Sequence, residues 1–152
     1  AMEKLYLDGR VRAIGVSNFN PGHLARLLDT AEVVPTVNQV ELHPYLQQRD
    51  TRAANDAAGI ATEAWSPLAK GGDLLRDPVV TGLAEKHGRT AAQVVLRWHL
   101  QLGTIVIPKS VTPARIEENL DVFGFELDAD DLAAIAGLDR DARVGPHPDS
   151  VS

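Results

Sequence analysis

The feature that most constrains the fold is a repeated order, in which a short β-like run precedes a helical pattern. Four such runs, rich in β-branched and other apolar residues, lie at residues 12–16, 37–42, 60–65 and 104–107. Strands that alternate with helices pair in parallel, so the sequence predicts an α/β fold of four parallel βα units. These units form either a small open doubly wound sheet or half of a closed barrel. A glycine-rich GxGxxG turn does not follow the first run, which weakens a Rossmann interpretation but does not exclude other open sheets.

Helix start signals fall where this pattern needs them. Asn20, Asp77, Thr90 and Thr112 each stand directly before a periodic segment, and a proline follows three of these four residues. A late helix is expected to begin at Asp128, after the last strand. The apolar stripes of the helices comprise Leu24, Leu27, Leu28 and Ala31, then Val94, Val95, Trp98 and Leu102, and finally Leu132, Ile135 and Leu138.

The two ends of the chain show weaker patterns. Residues 1–9 are typical of the tail of a helix that Gly9 closes. Such a beginning is expected of a fragment or a truncated reading frame, and equally of a short N-terminal helix. Residues 142–152 have no periodicity and are expected to form a loop.

The segment after the last β-like run is suited to an anion. Residues 105–107 are apolar and predict a buried strand, Thr112 is a good N-cap, and Pro113 suits the first helical position. The N–H groups and the dipole at a helix N-terminus favour a phosphate, and Lys109 and Arg115 flank this one with positive charge. A solvated basic pair on an ordinary helix is the alternative, and the segment alone leaves it open.

Composition excludes several classes of function. The chain has 152 residues, a net charge of -6 and no cysteine. The negative charge argues against nucleic acid and anionic membranes as partners, and no window is long and apolar enough for a membrane span. Without cysteine there is no disulfide and no thiolate metal site, so a cytoplasmic location is expected. The scattered histidines have no spacing typical of a metal cluster.

Four segments resemble the aldo-keto reductases, and they occur in the order of that family. They are GVSNF at residues 15–19, NQVELHPY at 38–45, WSPL at 65–68 and IPKSVTPARIEEN at 107–119. The resemblance implies the C-terminal half of a (β/α)8 TIM barrel, whose complete form needs about 250 residues. Residues 1–152 are therefore expected to form a single partial domain, a half-barrel that binds cofactor. Trp65, where many relatives carry tyrosine, favours the bacterial 2,5-diketo-D-gluconate reductase branch.

The resemblance also assigns roles in binding NADPH. Ser17, Asn18 and Gln39 correspond to residues that hold the nicotinamide carboxamide, with a polar turn and a satisfied core glutamine as alternatives. Trp65 corresponds to the aromatic residue that stacks on the nicotinamide, or else to a plain core residue. The other assigned positions are Ser66 and Leu68 at the pyrophosphate, Lys109, Ser110 and Arg115 at the 2′-phosphate, Val111 in the same segment, and Glu118 and Asn119 at the adenine.

The catalytic residues of the family are not among these. The resemblance implies a tetrad of Asp, Tyr, Lys and His from earlier strands, and those motifs do not occur in this sequence. His43 and Tyr45 are therefore expected to be structural or pocket-lining. The chain is predicted to carry the NADPH-binding half of an enzyme that reduces aldehydes or ketones, and to be inactive alone. The alternative is a non-catalytic nucleotide-binding module. An open half-barrel is also expected to self-associate through its edges.

Overall fold

The structure, a computed structural model, describes residues 1–150 and follows the predicted alternation of strands and helices. Four strands, β1 (Gly15–Ser17), β2 (Val37–Glu41), β3 (Ala61–Trp65) and β4 (Ile105–Val106), form one sheet in that order, and β1 pairs with β2 in parallel. The predicted α/β class with parallel strands is confirmed. In chain order the elements are α1 (Met2–Leu7), β1 (Gly15–Ser17), α2 (Pro21–Leu28), β2 (Val37–Glu41), α3 (Arg49–Ala57), β3 (Ala61–Trp65), α4 (Pro78–His87), α5 (Ala91–Gln101), β4 (Ile105–Val106), α6 (Pro113–Leu120) and α7 (Ala129–Ala136).

Strand β1 is shorter than the predicted run at residues 12–16, since it begins only at Gly15. Gly15 pairs with Val37, and a Cβ atom at Gly15 would lie 2.5 Å from the Val37 side chain. The two strands approach this closely because Gly15 has no side chain.

Strand β4 corrects the prediction of a buried strand at residues 105–107. It contains only Ile105 and Val106, and the exposed fractions of Ile105 and Ile107 are 45% and 47%. The strand stands last in the sheet, so it has a neighbour on one edge only. An apolar run predicts a strand here but does not predict what covers it.

Most predicted helix starts are confirmed by hydrogen bonds of the cap residues. Asn20 and Thr90 form reciprocal capping boxes with His23 and Gln93, and the Asp77 side chain accepts from the N–H of Val79. The late helix α7 begins after Asp128 as predicted, again with a capping box. These bonds satisfy N–H groups that an uncapped helix leaves without a partner.

The chain divides into two compact units. The first contains Ala1–Val40, Gln48–Glu63 and the residues from Pro146, and the second contains Glu41–Gln47 and Ala64–Gly145. The expectation of a single partial domain over residues 1–152 stays a prediction.

The core of the first unit combines apolar packing with a buried polar network. Ile14, Leu24 and Ile60 are buried. The Asn38 side chain donates to the side-chain oxygen of Asn55 at 3.1 Å, and Asn55 donates to the Thr62 hydroxyl at 2.8 Å. Each of these buried polar groups therefore has a partner, as buried groups require.

The second unit has an apolar core of its own. Tyr45, Leu74, Val80 and Val95 pack together there, with the 3₁₀ turn Leu74–Arg76 supplying Leu74. Helix α5 packs against α4 and α6, and α4 also contacts α7.

At the start of the chain, Gly9 has a φ of 68° and follows α1 as predicted. At its end, the predicted loop at 142–152 includes the 3₁₀ turn Pro148–Ser150, and residues 151 and 152 lie outside the described residues.

Candidate functional site

A cavity of about 920 Å³ lies in the second unit. Its walls are the loop after β3, the N-terminus of α5 and the segment from β4 into α6. Cavities of this size hold cofactors and drug-sized ligands. Most of the residues predicted to bind cofactor lie together in these walls, namely Ser66, Leu68, Lys109, Ser110, Val111, Arg115, Glu118 and Asn119.

The loop after β3 has an unusual backbone. Ser66, Ala69 and Lys70 have φ angles of 49°, 49° and 59°, in the left-handed region that non-glycine residues rarely adopt. Backbone hydrogen bonds from Ala69 N to Ser66 O, at 2.8 Å, and from Gly71 N to Leu68 O, at 2.7 Å, close this turn. Strained backbone of this kind is concentrated at binding sites.

Helix α6 begins at Pro113, with Thr112 at the N-cap as predicted. The Thr112 side chain, however, makes no capping hydrogen bond, which corrects the prediction of a good cap. The backbone N–H of Thr112 donates to the Ser110 hydroxyl at 3.2 Å. The serine thus orders the segment before the helix, and the threonine hydroxyl does not occupy the N–H groups of the first turn.

Lys109 and Arg115 lie in the wall of this cavity as exposed cations. Throughout residues 1–150, neither of them forms an ion pair with a carboxylate. Their charge is therefore available to an anionic ligand.

Glu118 is held by helix α5. Its side chain accepts from the Thr90 hydroxyl at 2.7 Å, and its backbone oxygen accepts from the Gln93 side chain at 3.2 Å. The contacts fix α6 against the start of α5 and orient one of the two residues assigned to the adenine.

Ser17, Asn18 and Gln39 come together in the first unit. The backbone oxygen of Gln39 accepts from the Ser17 hydroxyl at 2.9 Å and from the Asn18 N–H at 2.8 Å. Asn18 has a φ of 60°, a conformation that asparagine tolerates better than most residues. The structure thus brings these three predicted residues into one cluster, while their role in binding a carboxamide stays a prediction.

Glu63 is a residue that the sequence analysis missed. The side-chain nitrogen of Gln39 donates to the Glu63 carboxylate at 2.6 Å, between neighbouring strands β2 and β3. The signal available in the sequence was its position two residues before Trp65, because alternate residues of a strand share one face.

Trp65 ends β3 and is half-buried. Gly145 lies directly against its indole, since a Cβ atom at Gly145 would come within 2.5 Å of the ring. Buried Glu41, also missed by the sequence analysis, accepts from the backbone N–H groups of Val144, at 2.5 Å, and Gly145, at 3.0 Å. The Glu41 carboxylate therefore holds the backbone of residues 144 and 145 beside the Trp65 indole.

The structural role expected of His43 and Tyr45 agrees with their surroundings. His43 is fully buried with Nε2 3.0 Å from Glu41, and burial lowers its pKa despite that contact. Tyr45 donates its hydroxyl proton to Asp77 at 2.7 Å, and burial and this carboxylate raise its pKa. The Arg140 guanidinium stacks over the Tyr45 ring at 3.6 Å.

Two absences concern residues 1–150 alone. In that part of the chain, no cluster of three or more histidine, aspartate or glutamate side chains is arranged to hold a metal ion. None of the helices described there is long and apolar enough to cross a membrane.

Comparison with known proteins gives a consistent result. The family model described as "Aldo/keto reductase family" matches residues 1–140. An aldo-keto reductase of Mycobacterium sp. (strain KMS) is 59% identical over 148 residues, which are 97% of this chain and 53% of that protein. A glyoxal reductase of Bacillus subtilis (strain 168) is 54% identical, covering 99% of this chain and 54% of its own. The chain thus spans about half the length of the curated relatives it matches.

Solved structures agree with these relatives. The crystal structure of a Gox0644 variant in complex with NADPH matches with a TM-score of 0.96 and 56% identity, over 100% of this chain and 56% of that one. This match confirms the predicted fold class, part of a larger α/β barrel.

Proposed function

This chain belongs to the aldo/keto reductase family, and from that premise we propose that it forms the NADPH-binding half of an oxidoreductase that reduces aldehydes or ketones. In such a reaction NADPH supplies a hydride to the carbonyl carbon, and an acid supplies the proton. The relatives named glyoxal reductase and methylglyoxal reductase support a small carbonyl compound as the substrate.

The cavity in the second unit is the observation that carries this proposal. It combines the Ser110 hydroxyl and the N-terminus of α6 in one wall with Lys109 and Arg115, which form no ion pair within residues 1–150. Phosphate groups favour this combination of cations, a hydroxyl and helix N–H groups. We expect the 2′-phosphate here, with Val111 in the same segment, Ser66 and Leu68 at the pyrophosphate, and Glu118 and Asn119 at the adenine.

The nicotinamide end belongs to Ser17, Asn18, Gln39 and Trp65 in this proposal. The support is the hydrogen-bonded cluster around Gln39 and the half-buried indole at the end of β3. A flat aromatic face against the ring would leave the opposite face of the nicotinamide open to substrate.

We expect the chain to have no carbonyl reductase activity by itself. It contains two tyrosines, and neither is suited to donate a proton: Tyr45 is bonded to Asp77 with a raised pKa, and Tyr6 lies in the surface helix α1. The lack of a suitable proton donor among these two tyrosines also favours the second candidate, a nucleotide-binding module without catalysis. A cytoplasmic location and membership of the 2,5-diketo-D-gluconate reductase branch remain predictions.

A titration of the chain with NADPH and with NADH, followed by tryptophan emission, tests the proposal. We expect saturable quenching that requires Trp65 and favours NADPH. The Trp65→Phe variant is the control, because its remaining tryptophan, Trp98, is buried at 2% exposure and its emission should not report the ligand. A folded chain that binds neither dinucleotide contradicts the proposal. NADPH oxidation with methylglyoxal by the chain alone contradicts only the expected lack of activity.

A further inference from the structure

The hydrogen bond between Gln39 and Glu63 has a direction that the chemistry of the two groups fixes. A glutamine amide has a donating end and an accepting end, and a carboxylate can only accept. The 2.6 Å contact therefore holds the nitrogen of Gln39 toward Glu63. A hydrogen bond to a charged acceptor is also stronger than a neutral one, so the opposite orientation of the amide is disfavoured.

The rest of Gln39 is equally well held. Its backbone oxygen accepts two hydrogen bonds, from the Ser17 hydroxyl and the Asn18 N–H, and its register opposite Ser17 is set by strand pairing. The side-chain oxygen of Gln39 makes no hydrogen bond to another residue within 1–150. Gln39 is half-buried, and its side-chain oxygen is a held acceptor that no residue within 1–150 uses.

We infer that Glu63 is a positioning residue, which turns Gln39 into a dedicated acceptor for an N–H donor such as the amide of a nicotinamide carboxamide. This inference rests on the proposed function and extends it from Gln39 to its partner. It makes Glu63 a determinant of specificity for a carboxamide over a group of the same shape that has no N–H. The glutamate acts through Gln39 and does not itself touch the cofactor.

Binding measurements with three ligands separate this role from a merely structural one. The ligands are NADPH, its reduced 3-acetylpyridine analogue, in which a methyl ketone replaces the carboxamide, and 2′,5′-ADP, which has no nicotinamide. The proteins are the intact chain, Glu63→Ala, Glu63→Gln and a matched control, Glu32→Ala. Glu32 is an exposed glutamate of the same unit that makes no side-chain hydrogen bond to the residues described.

We expect Glu63→Ala to raise the Kd for NADPH about five- to tenfold, the scale of one hydrogen bond. Glu63→Gln should raise it about two- to threefold, because a glutamine can accept from Gln39 or donate to it. The Kd values for the acetylpyridine analogue and 2′,5′-ADP should stay within about twofold in every variant, since neither ligand uses the Gln39 oxygen. Glu32→Ala should leave all three Kd values unchanged.

Two results would overturn the inference while leaving the proposed function intact. One is unchanged NADPH binding by Glu63→Ala, and the other is an equal loss of affinity for all three ligands. If the folded wild-type chain binds 2′,5′-ADP and NADPH with the same affinity, the nicotinamide makes no contact that contributes to binding. The inference about Glu63 then fails, while binding of the phosphorylated end stands. If it binds none of the three, the proposed function fails as well.

The ligand-free chain offers a second test that does not depend on binding. In an NMR spectrum, the two side-chain amide protons of Gln39 should be well separated, with one shifted downfield by the carboxylate. In Glu63→Ala they should return to ordinary positions while the backbone amides of β1 and β2 keep theirs. Identical Gln39 side-chain signals in both proteins contradict the positioning role.

Discussion

At the scale of single residues, selective binding of NADPH depends on two cations that recognise one phosphate. Lys109 offers a point charge and Arg115 a planar fork, and neither is neutralised by a carboxylate in the part of the chain described. NADPH and NADH differ only in the 2′-phosphate. Removal of either cation should therefore change the affinity for the first and not for the second.

We predict that Lys109→Ala and Arg115→Ala each raise the Kd for NADPH about 10- to 100-fold, because a hydrogen bond to a charged group contributes about 1.5–3 kcal/mol. The Kd for NADH should change less than about twofold. Calorimetric titration measures both values. Arg26→Ala, which removes an exposed cation from α2 in the other unit, is the matched control. Equal losses for NADPH and NADH would show that the cations do not recognise the 2′-phosphate.

Individual residues were predictable from the sequence only where local chemistry decided their place. Lys109 and Arg115 follow from their places at the start of a helix, whereas Ser110 was assigned through the family resemblance, and all three lie in the cavity wall. Glu63 and Glu41 were missed because their partners are distant in the chain: Glu63 binds Gln39, and Glu41 binds the backbone at residues 144 and 145. At Thr112 the position was predicted but not the bond: the helix begins after this residue, yet its hydroxyl accepts from no N–H of the first turn, and the local hydrogen bond runs from the Thr112 N–H to the Ser110 hydroxyl.

At the scale of elements, helices α4 and α7 are joined by a charged cluster. Asp131, at 3% exposure, accepts from Lys86 at 2.7 Å, from His87 at 2.7 Å and from the backbone N–H of Asp128 at 3.1 Å. Burial opposes ionisation of Asp131, but these hydrogen bonds outweigh it and lower its pKa. The pKa of Asp128 is also lowered, chiefly by its hydrogen bond from Lys86.

The lowered pKa values predict a loss of stability in acid. A carboxylate with a folded-state pKa below its unfolded value stabilises the fold above the ordinary aspartate pKa of 3.8, and this stability is lost as the pH falls through the lower folded value. Asp131→Asn should lower the free energy of unfolding near pH 7 by about 1–3 kcal/mol, since charged hydrogen bonds are lost. The same substitution should also make the free energy of unfolding fall less steeply with pH below about pH 4.

Urea unfolding of the two proteins between pH 7 and pH 3 measures this effect. Asp130→Asn is a suitable control, because Asp130 is the exposed neighbour of Asp131 in the same helix. Parallel stability curves for wild type and Asp131→Asn over the whole range contradict the role given to this cluster.

The existence of the elements was largely predictable, and their surroundings were less so. Asn20, Thr90 and Asp128 are cap residues whose effect is local, so α2, α5 and α7 begin where the sequence indicates. Helix α3 carries no comparable signal, because its N-cap is Gln48 in a left-handed conformation without a capping bond. The exposure of β4 depends on its place in the sheet, which an apolar run does not encode.

At the scale of the whole molecule, the chain exposes large apolar side chains that do not line its cavity. In the second unit, Ile105, Leu120 and Phe123 are between 45% and 73% exposed. Edge strands and apolar patches of this kind promote association. We therefore propose that the chain self-associates in solution, which light scattering over a range of concentrations would detect as a mass that rises above the monomer.

We propose above all that the basic cavity of the second unit holds the phosphorylated end of NADPH. NMR titration of the intact chain with 2′,5′-ADP tests it most directly, because every backbone amide reports whether a ligand is near. We expect saturable shifts in the loop at residues 66–72 and in the segment at 107–119, with the largest around Lys109, Ser110 and Arg115. Saturable shifts confined to other parts of the chain, or none in a folded protein at millimolar ligand, would contradict it.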